Sequence, residues 1–333
     1  MTEGAVGDRT TGDVAAVEGR APARTMRAAG VLRGDSRATS VVRRGGLLRR
    51  SVESLYLWPM VLLLGFTILV PTVLAVVGSF RDWNPGYESP FVGLENYREV
   101  LDSRVFREIV GNTIVLALGV PLWVVVPLIV AVLLHERVPF PGVFRTIFFF
   151  PAVLSPVIIG LMFRGLLRPD GSVNATLESV GLDALAKPWI SDPDWVKPVF
   201  VLIVLWYSLG FGVLLYSAAL SAVPQEQVEA AMLDGANWWQ RIRYVILPAI
   251  APTFLINTIF SAATVFLLFG YVYVLTQGGP GYASTTIDFD IYQNAMNFGY
   301  YGYAAAESVL LLVTMTVVVG GVALVGRRWF RES

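Results

Sequence analysis

Six long stretches of this chain contain no Asp, Glu, Lys or Arg: Leu55 to Phe80, Ile109 to His135, Thr146 to Phe163, Pro198 to Gln225, Tyr244 to Ile287 and Ser308 to Gly326. A helix that crosses a bilayer needs about 20 apolar residues, because hydrocarbon offers no partner to backbone N–H and C=O groups and the helix must satisfy them itself. The stretches therefore predict an all-α integral membrane protein with six transmembrane helices, at about 55–80, 110–134, 146–166, 198–222, 252–275 and 304–326. The fifth stretch is too long for one span. Pro248 and Pro252 punctuate its start, and Gly278-Gly279-Pro280-Gly281 marks a turn near its end. Composition agrees, since 15% of the residues are charged where a soluble domain carries about a quarter.

Residues 1–54 hold ten Arg and six acids without apolar periodicity, which predicts a disordered tail ahead of a membrane domain at 55–333. Lys and Arg near the span ends set orientation. Eleven lie on the side that includes Arg43, Arg44, Arg49, Arg50, Arg137, Arg145, Arg241, Arg243, Arg327, Arg328 and Arg331, against eight on the other, whose loops are about twice as long. Both termini and the loops 135–145 and 223–248 are thus expected in the cytoplasm. Loops 81–111, 164–197 and 276–303 are expected outside.

Several chemistries are excluded at this stage. The 25 basic residues cancel 25 acidic ones, which argues against a nucleic-acid binder. There is no cysteine and one histidine, His135, so disulfides, thiolate chemistry, a catalytic metal and a Ser/His/Asp triad are not expected. Lys187 and Lys197 lack the flanking residues of a phosphate-cradling loop; if ATP is used, another chain binds it. Arg164 and Glu307 sit only at span ends, as interfacial or packing residues. Spans this free of charge count against an ion-coupled carrier and suit an uncharged, hydroxyl-rich solute.

The polar residues inside the spans can be named. Asn257, Ser261 and Thr264 recur at i, i+4 and i+7 on one face of the fifth span, with Tyr271 further along. The fourth span carries Tyr207 and Ser208, beside Trp206, Tyr216 and Ser217. Such residues either line a solute path or serve as helix-packing contacts and interfacial belts. The solute-path candidates are Asn257, Ser261, Thr264, Tyr271, Tyr207 and Ser208.

Between the fourth and fifth spans, Pro224 suits a first helical turn, with Glu226 and Glu229 near the positive end of that helix's dipole. Gly235 permits a turn and is expected to tolerate no bulk. A second short helix bearing Trp238, Trp239, Ile242 and Val245 runs to Pro248. This segment resembles the EAA loop of ATP-binding-cassette importer permeases: Glu229, Ala230, Ala231, Gly235, Leu247 and Pro248 stand at the family's spacing, Asp234-Gly235-Ala236 matches its common DGA form, and Val245 replaces an Ile. Gly93-Leu94-x-Asn96-Tyr97, Asn112-Thr113, Phe144-Arg145 with Pro151, Pro169-x-Gly171-x-x-Asn174, Leu275-Thr276-x-Gly278-Gly279-Pro280 and Gly302-Tyr303-Ala304-x-Ala306 resemble sugar-importer permeases of the maltose and glycerol-phosphate type.

That resemblance implies a type I ABC importer permease fold and a chain with no catalytic residue and no cofactor of its own. It also implies partners: a second six-span permease, two cytoplasmic ATPase subunits that hold ATP and Mg, an external solute-binding protein, and a sugar. Loop 223–248 would be the helix that docks into the ATPase. Ser261 falls on a sugar-site serine of the maltose-type permease, whereas Val265 and Leu268 replace its asparagines, a departure from maltose itself. Glycerol phosphate is the alternative solute, and a secondary carrier or a membrane scaffold the alternative class. Asn174-Ala175-Thr176 matches a glycosylation sequon and is read as coincidence.

Overall fold

The structure, a computed structural model, describes residues 58–136 and 140–332. The tail reading at 1–54 and Arg137 lie outside the described residues. The chain divides into two units, Met1–Leu63 and Leu64–Ser333. In the first, the described residues 58–63 are helical.

Regular structure among the described residues is helical apart from one isolated bridge, Arg81 with Phe91. In chain order the helices are α1 (Trp58–Gly78), α2 (Glu95–Asp102), α3 (Arg104–Ala117), α4 (Val120–Glu136), α5 (Pro141–Val153), α6 (Pro156–Leu166) and α7 (Ser172–Ser179). There follow α8 (Pro193–Ser221), α9 (Gln225–Leu233), α10 (Trp238–Ala249), α11 (Ala251–Thr264), α12 (Phe269–Leu275), α13 (Ile287–Tyr292) and α14 (Tyr301–Glu332). Four stretches are long and apolar enough to cross a membrane unbroken: α1, the continuous run Arg104–His135 through α3 and α4, α8, and Tyr301–Arg328 of α14. The number reaches six when two bent pairs each count as one span.

The expected third and fifth spans, 146–166 and 252–275, are each interrupted within the described residues. At 146–166, α5 and α6 meet at 97°. Pro151 removes a donor inside α5, Ser155 caps α6 by accepting from the Ile158 amide at 3.4 Å, and Pro156 occupies the first helical position. At 252–275 the helix stops at Thr264 and resumes at Phe269. Upstream, α10 and α11 bend by 73° around Ile250, just before Pro252 in the first turn of α11.

The half-helices pack on each other. A Cβ added at Gly160 of α6 would lie 3.0 Å from Val274 Cβ, and one at Gly270 of α12 would lie 3.1 Å from Pro156 Cβ, so each glycine makes room for a side chain of the facing half-helix. Arg164 donates to the Val274 carbonyl at 3.3 Å. Around them a core of Leu116, Trp123, Phe200, Leu268, Tyr271 and Val272 joins α3, α4, α8 and α12. A second core, with Leu128, Val213, Tyr216, Ile242, Ile246 and Ile250, joins α4 and α8 to α10.

Segments that charge counting assigns to one side meet in space. Asn112 donates to the Tyr282 and Thr285 carbonyls at 2.7 and 3.1 Å and accepts from Lys197 at 3.1 Å, which ties the start of the expected second span to two loops read as outward. His135, Ser221, Gln225 and Arg241, from segments read as inward, line a common pocket. Asn174 is buried and fully engaged, donating to the Pro169 and Lys187 carbonyls and accepting from Trp189 Nε1 at 2.8 Å, which leaves no amide free for a glycan.

At Gly210 of α8 an added Cβ would sit 2.6 Å from Ala152 Cβ and 3.1 Å from the Phe148 carbonyl. Gly210→Val is therefore expected to cost about 1–3 kcal/mol and to lower the thermal midpoint of the detergent-solubilised protein. Gly111→Ala, at a position with nothing within 4 Å, is expected to leave that midpoint unchanged or slightly raised.

Candidate functional site

Five of the six solute-path candidates meet in one cavity. Tyr207 and Ser208 from α8 and Asn257, Ser261 and Thr264 from α11 line a space of about 430 Å³. The i, i+4, i+7 spacing puts the three α11 residues on one face, as expected, and α8 supplies the facing wall. The cavity also carries Trp123, Phe149, Phe211 and Phe260 and has no charged lining residue. The sequence offered no signal for these four rings, because an aromatic residue in an apolar span reads as packing. Phe211 and Phe260 stand edge to face at 5.4 Å, and Trp123 Nε1 is committed to the Val201 carbonyl at 3.0 Å.

The hydroxyl chemistry is directional. Ser208 donates to the Leu205 carbonyl at 2.9 Å and Thr264 to the Phe260 carbonyl at 2.9 Å, so both protons are spent and the oxygen lone pairs remain as acceptors. Asn257 Nδ2 donates to the Tyr216 hydroxyl at 3.2 Å. A solute rich in O–H donors with apolar ring faces matches such a lining.

Tyr271 is the exception. The break after Thr264 places it on α12 rather than on the continued α11 face, and it lies outside the cavity lining. Its ring meets Tyr207 edge to face at 6.2 Å, so it supports the wall from behind. Asp288 holds this break, accepting from the Phe269 amide at 2.6 Å, from Thr286 Oγ1 at 2.5 Å and from the Phe289 amide at 3.0 Å. Burial pushes the Asp288 carboxyl above the usual carboxylate range, and these donors pull it back. A neighbouring link joins α13 to α14: Asn294 donates to Asp290 at 3.2 Å and to Glu307 at 3.1 Å. Burial also raises the Asp290 carboxyl. Glu307, expected at an interface or in packing, is wholly buried.

The segment 223–248 folds as two short helices joined by a closed turn. Glu229, Ala230 and Ala231 lie in α9, with the Glu229 side chain exposed. Asp234 ends the helix and Gly235 follows at φ +80°. The Ala236 amide bonds the Ala231 carbonyl at 2.9 Å and the Gly235 amide bonds the Met232 carbonyl at 3.1 Å, which together form a Schellman motif. Nothing lies within 4 Å of a Cβ added at Gly235. The expectation that Gly235 tolerates no bulk because the turn needs its backbone freedom agrees with this geometry: the left-handed backbone is the demand, while the space around it is open. Asn237, missed by the sequence reading, caps α10 reciprocally with Gln240 at 3.0 and 2.8 Å; the Asn-x-x-Gln spacing was a legible signal. Leu247 and Pro248 end α10, with Leu247 packed against the core that holds Ile242 and Ile246. Outward stand Leu233, 89% exposed, and Trp239, 58% exposed.

Residues 99–331 match the family described as binding-protein-dependent transport system inner membrane component. The arabinooligosaccharides transport system permease of Halalkalibacterium halodurans is 34% identical over 77% of this chain and 82% of that protein. The lactose transport system permease of Rhizobium radiobacter is 29% identical over 79% and 90%. Among solved structures, a bacterial ABC transporter involved in the import of the acidic polysaccharide alginate has a chain that superposes with a TM-score of 0.72 at 24% identity, covering 88% of this chain and 99% of that one.

Gly235→Val forces a branched side chain into left-handed backbone at about 1–2 kcal/mol and is expected to speed amide hydrogen exchange across α9 and α10. Gly235→Asn, which tolerates that conformation, is expected to leave exchange close to wild type.

Proposed function

The chain belongs to the family of binding-protein-dependent transport system inner membrane components, and from that premise we propose that it forms half of the membrane path by which a neutral sugar or oligosaccharide enters the cell. As the permease component of such an ABC transporter it is a multi-pass membrane protein and carries no ATPase activity of its own. The cavity between α8 and α11 carries the solute assignment. Its wall of spent-donor hydroxyls, one amide, four rings and Tyr207 accepts from sugar hydroxyls and covers apolar sugar faces. The relatives that import arabinooligosaccharides and lactose support the same class. The absence of a lining cation argues against glycerol phosphate.

In this reading α9 and α10 dock into a cytoplasmic ATPase that binds ATP and Mg, with Glu229, Leu233 and Trp239 on the docking face. The Schellman turn and the reciprocal cap stiffen the element, so ATPase closure moves it as one body against the ends of α4 and α8. A second six-span permease supplies the other half of the path, a second ATPase docks there, and an external binding protein delivers the sugar. Both termini then face the cytoplasm, and Asp234, Gly235, Leu247 and Pro248 keep the docking helix in register.

The test is uptake of labelled sugars by proteoliposomes that hold this chain, its permease and ATPase partners and the binding protein. ATP-dependent uptake of a neutral sugar is expected. Asn257→Leu and Ser261→Ala are each expected to cut it by about fivefold, the equivalent of one neutral hydrogen bond, with subunit association intact. Uptake indifferent to both changes would overturn the cavity assignment. Separately, Glu229→Lys is expected to reduce co-purification of the ATPase, and undiminished co-purification would remove Glu229 from the docking face.

A further inference from the structure

Behind α9 lies a pocket of about 340 Å³, bounded by the ends of α4 and α8, one face of α9, and α10. Its polar lining is His135, Ser221, Gln225 and Arg241, and among the described residues no carboxylate lines it. Ser221 has already given its proton to the Ser217 carbonyl at 2.8 Å. The Nε of Arg241 is buried and has no hydrogen-bond partner among the described residues. A guanidinium offers donors only, and a buried donor without an acceptor is costly. An imidazole, that of His135, and a primary amide, that of Gln225, line the same pocket and each can donate a hydrogen bond.

The helix spacing separates this pocket from the docking face. Gln225, Val228 and Met232 line the pocket at i, i+3 and i+7, while Glu226, Glu229 and Leu233 repeat that spacing one residue on and are exposed. The acids of α9 are thus turned away from Arg241. An occupant of the pocket would sit between α9 and the spans, where a docked protein on the outer face of α9 does not reach.

We propose that this pocket binds a phosphate group, with Arg241 as its principal ligand and His135 and Gln225 as further donors. Arginine presents a planar fork that matches phosphate oxygens, and the volume is at the small end of ligand-sized pockets. The phosphate is borne either by a dissolved ion or ester or by a lipid headgroup at the membrane face. Bound there, it ties α10 and α9 to the ends of α4 and α8 and stiffens the joint through which ATPase motion passes. That consequence rests on the docking role proposed for α9 and α10, while the binding itself rests on the pocket alone.

The assembled complex, purified in a phosphate-free maltoside detergent without ATP or sugar, is titrated by calorimetry with inorganic phosphate and, separately, with short-chain phosphatidic acid. Binding of at least one probe is expected, and Arg241→Gln is expected to weaken it by about tenfold or more, as for loss of charge-assisted hydrogen bonds. His135→Asn gives a second, smaller reduction and keeps the test open if Arg241→Gln fails to assemble. Arg243→Gln, beside the pocket but outside its lining, is the control and is expected to change nothing. Binding of inorganic phosphate identifies a dissolved source, and binding of phosphatidic acid alone a lipid source. Binding of neither probe, or equal weakening by Arg241→Gln and Arg243→Gln, overturns the proposal. Transport is not the readout, so failure of the sugar assignment leaves the result interpretable.

Discussion

A backbone that breaks inside an apolar stretch must find its hydrogen bonds within the protein, and two such breaks organise this structure. Each unmet peptide group in hydrocarbon would cost several kcal/mol, so a broken span persists only where protein supplies the cap. Ser155 does this locally for α6. Asp288 does it at a distance for α12, reaching the Phe269 amide from the segment that follows the Gly-Gly-Pro turn. With both ends satisfied, α6 and α12 close on each other through Gly160 and Gly270, and α11 is free to end where its polar face meets α8. The cavity exists because the fifth stretch stops at Thr264.

The same economy shapes the element opposite the breaks. The turn at Gly235 returns two amides to carbonyls of α9, and Asn237 with Gln240 closes the next helix start. The element that carries the EAA residues therefore has its ends tied locally, while Ile242, Ile246 and Ile250 of α10 and its continuation enter the same core as Leu128 and Tyr216. Tyr216 in turn accepts from Asn257 in the cavity wall. A continuous path of packed side chains and one hydrogen bond thus runs from α10 to the cavity wall.

Much of this was legible residue by residue. The six charge-free stretches, the prolines at 248 and 252, the turn at Gly235 and the clustering of Asn257, Ser261 and Thr264 follow from local rules on burial, caps and periodicity, and those rules act within a few residues. The break at 154–155 was also written locally, in Ser155-Pro156, and was overlooked because apolarity alone drew the span. Tyr271 and the rings of Trp123, Phe149, Phe211 and Phe260 could not be placed, since an aromatic side chain in a span carries the same sequence signature whether it packs or lines a path.

By itself, then, the sequence determined the class of the protein, its apolar stretches, the family and the helix-turn-helix between the fourth and fifth stretches, because charge exclusion and short motifs are local properties. Tertiary structure alone decided that the fifth stretch breaks after Thr264, that Asp288 caps it from 19 residues away, that α8 faces α11 across a cavity, and that Arg241 Nε is buried without an acceptor among the described residues. These depend on which distant groups come within hydrogen-bonding reach, and that is a property of the packed chain rather than of any segment of it.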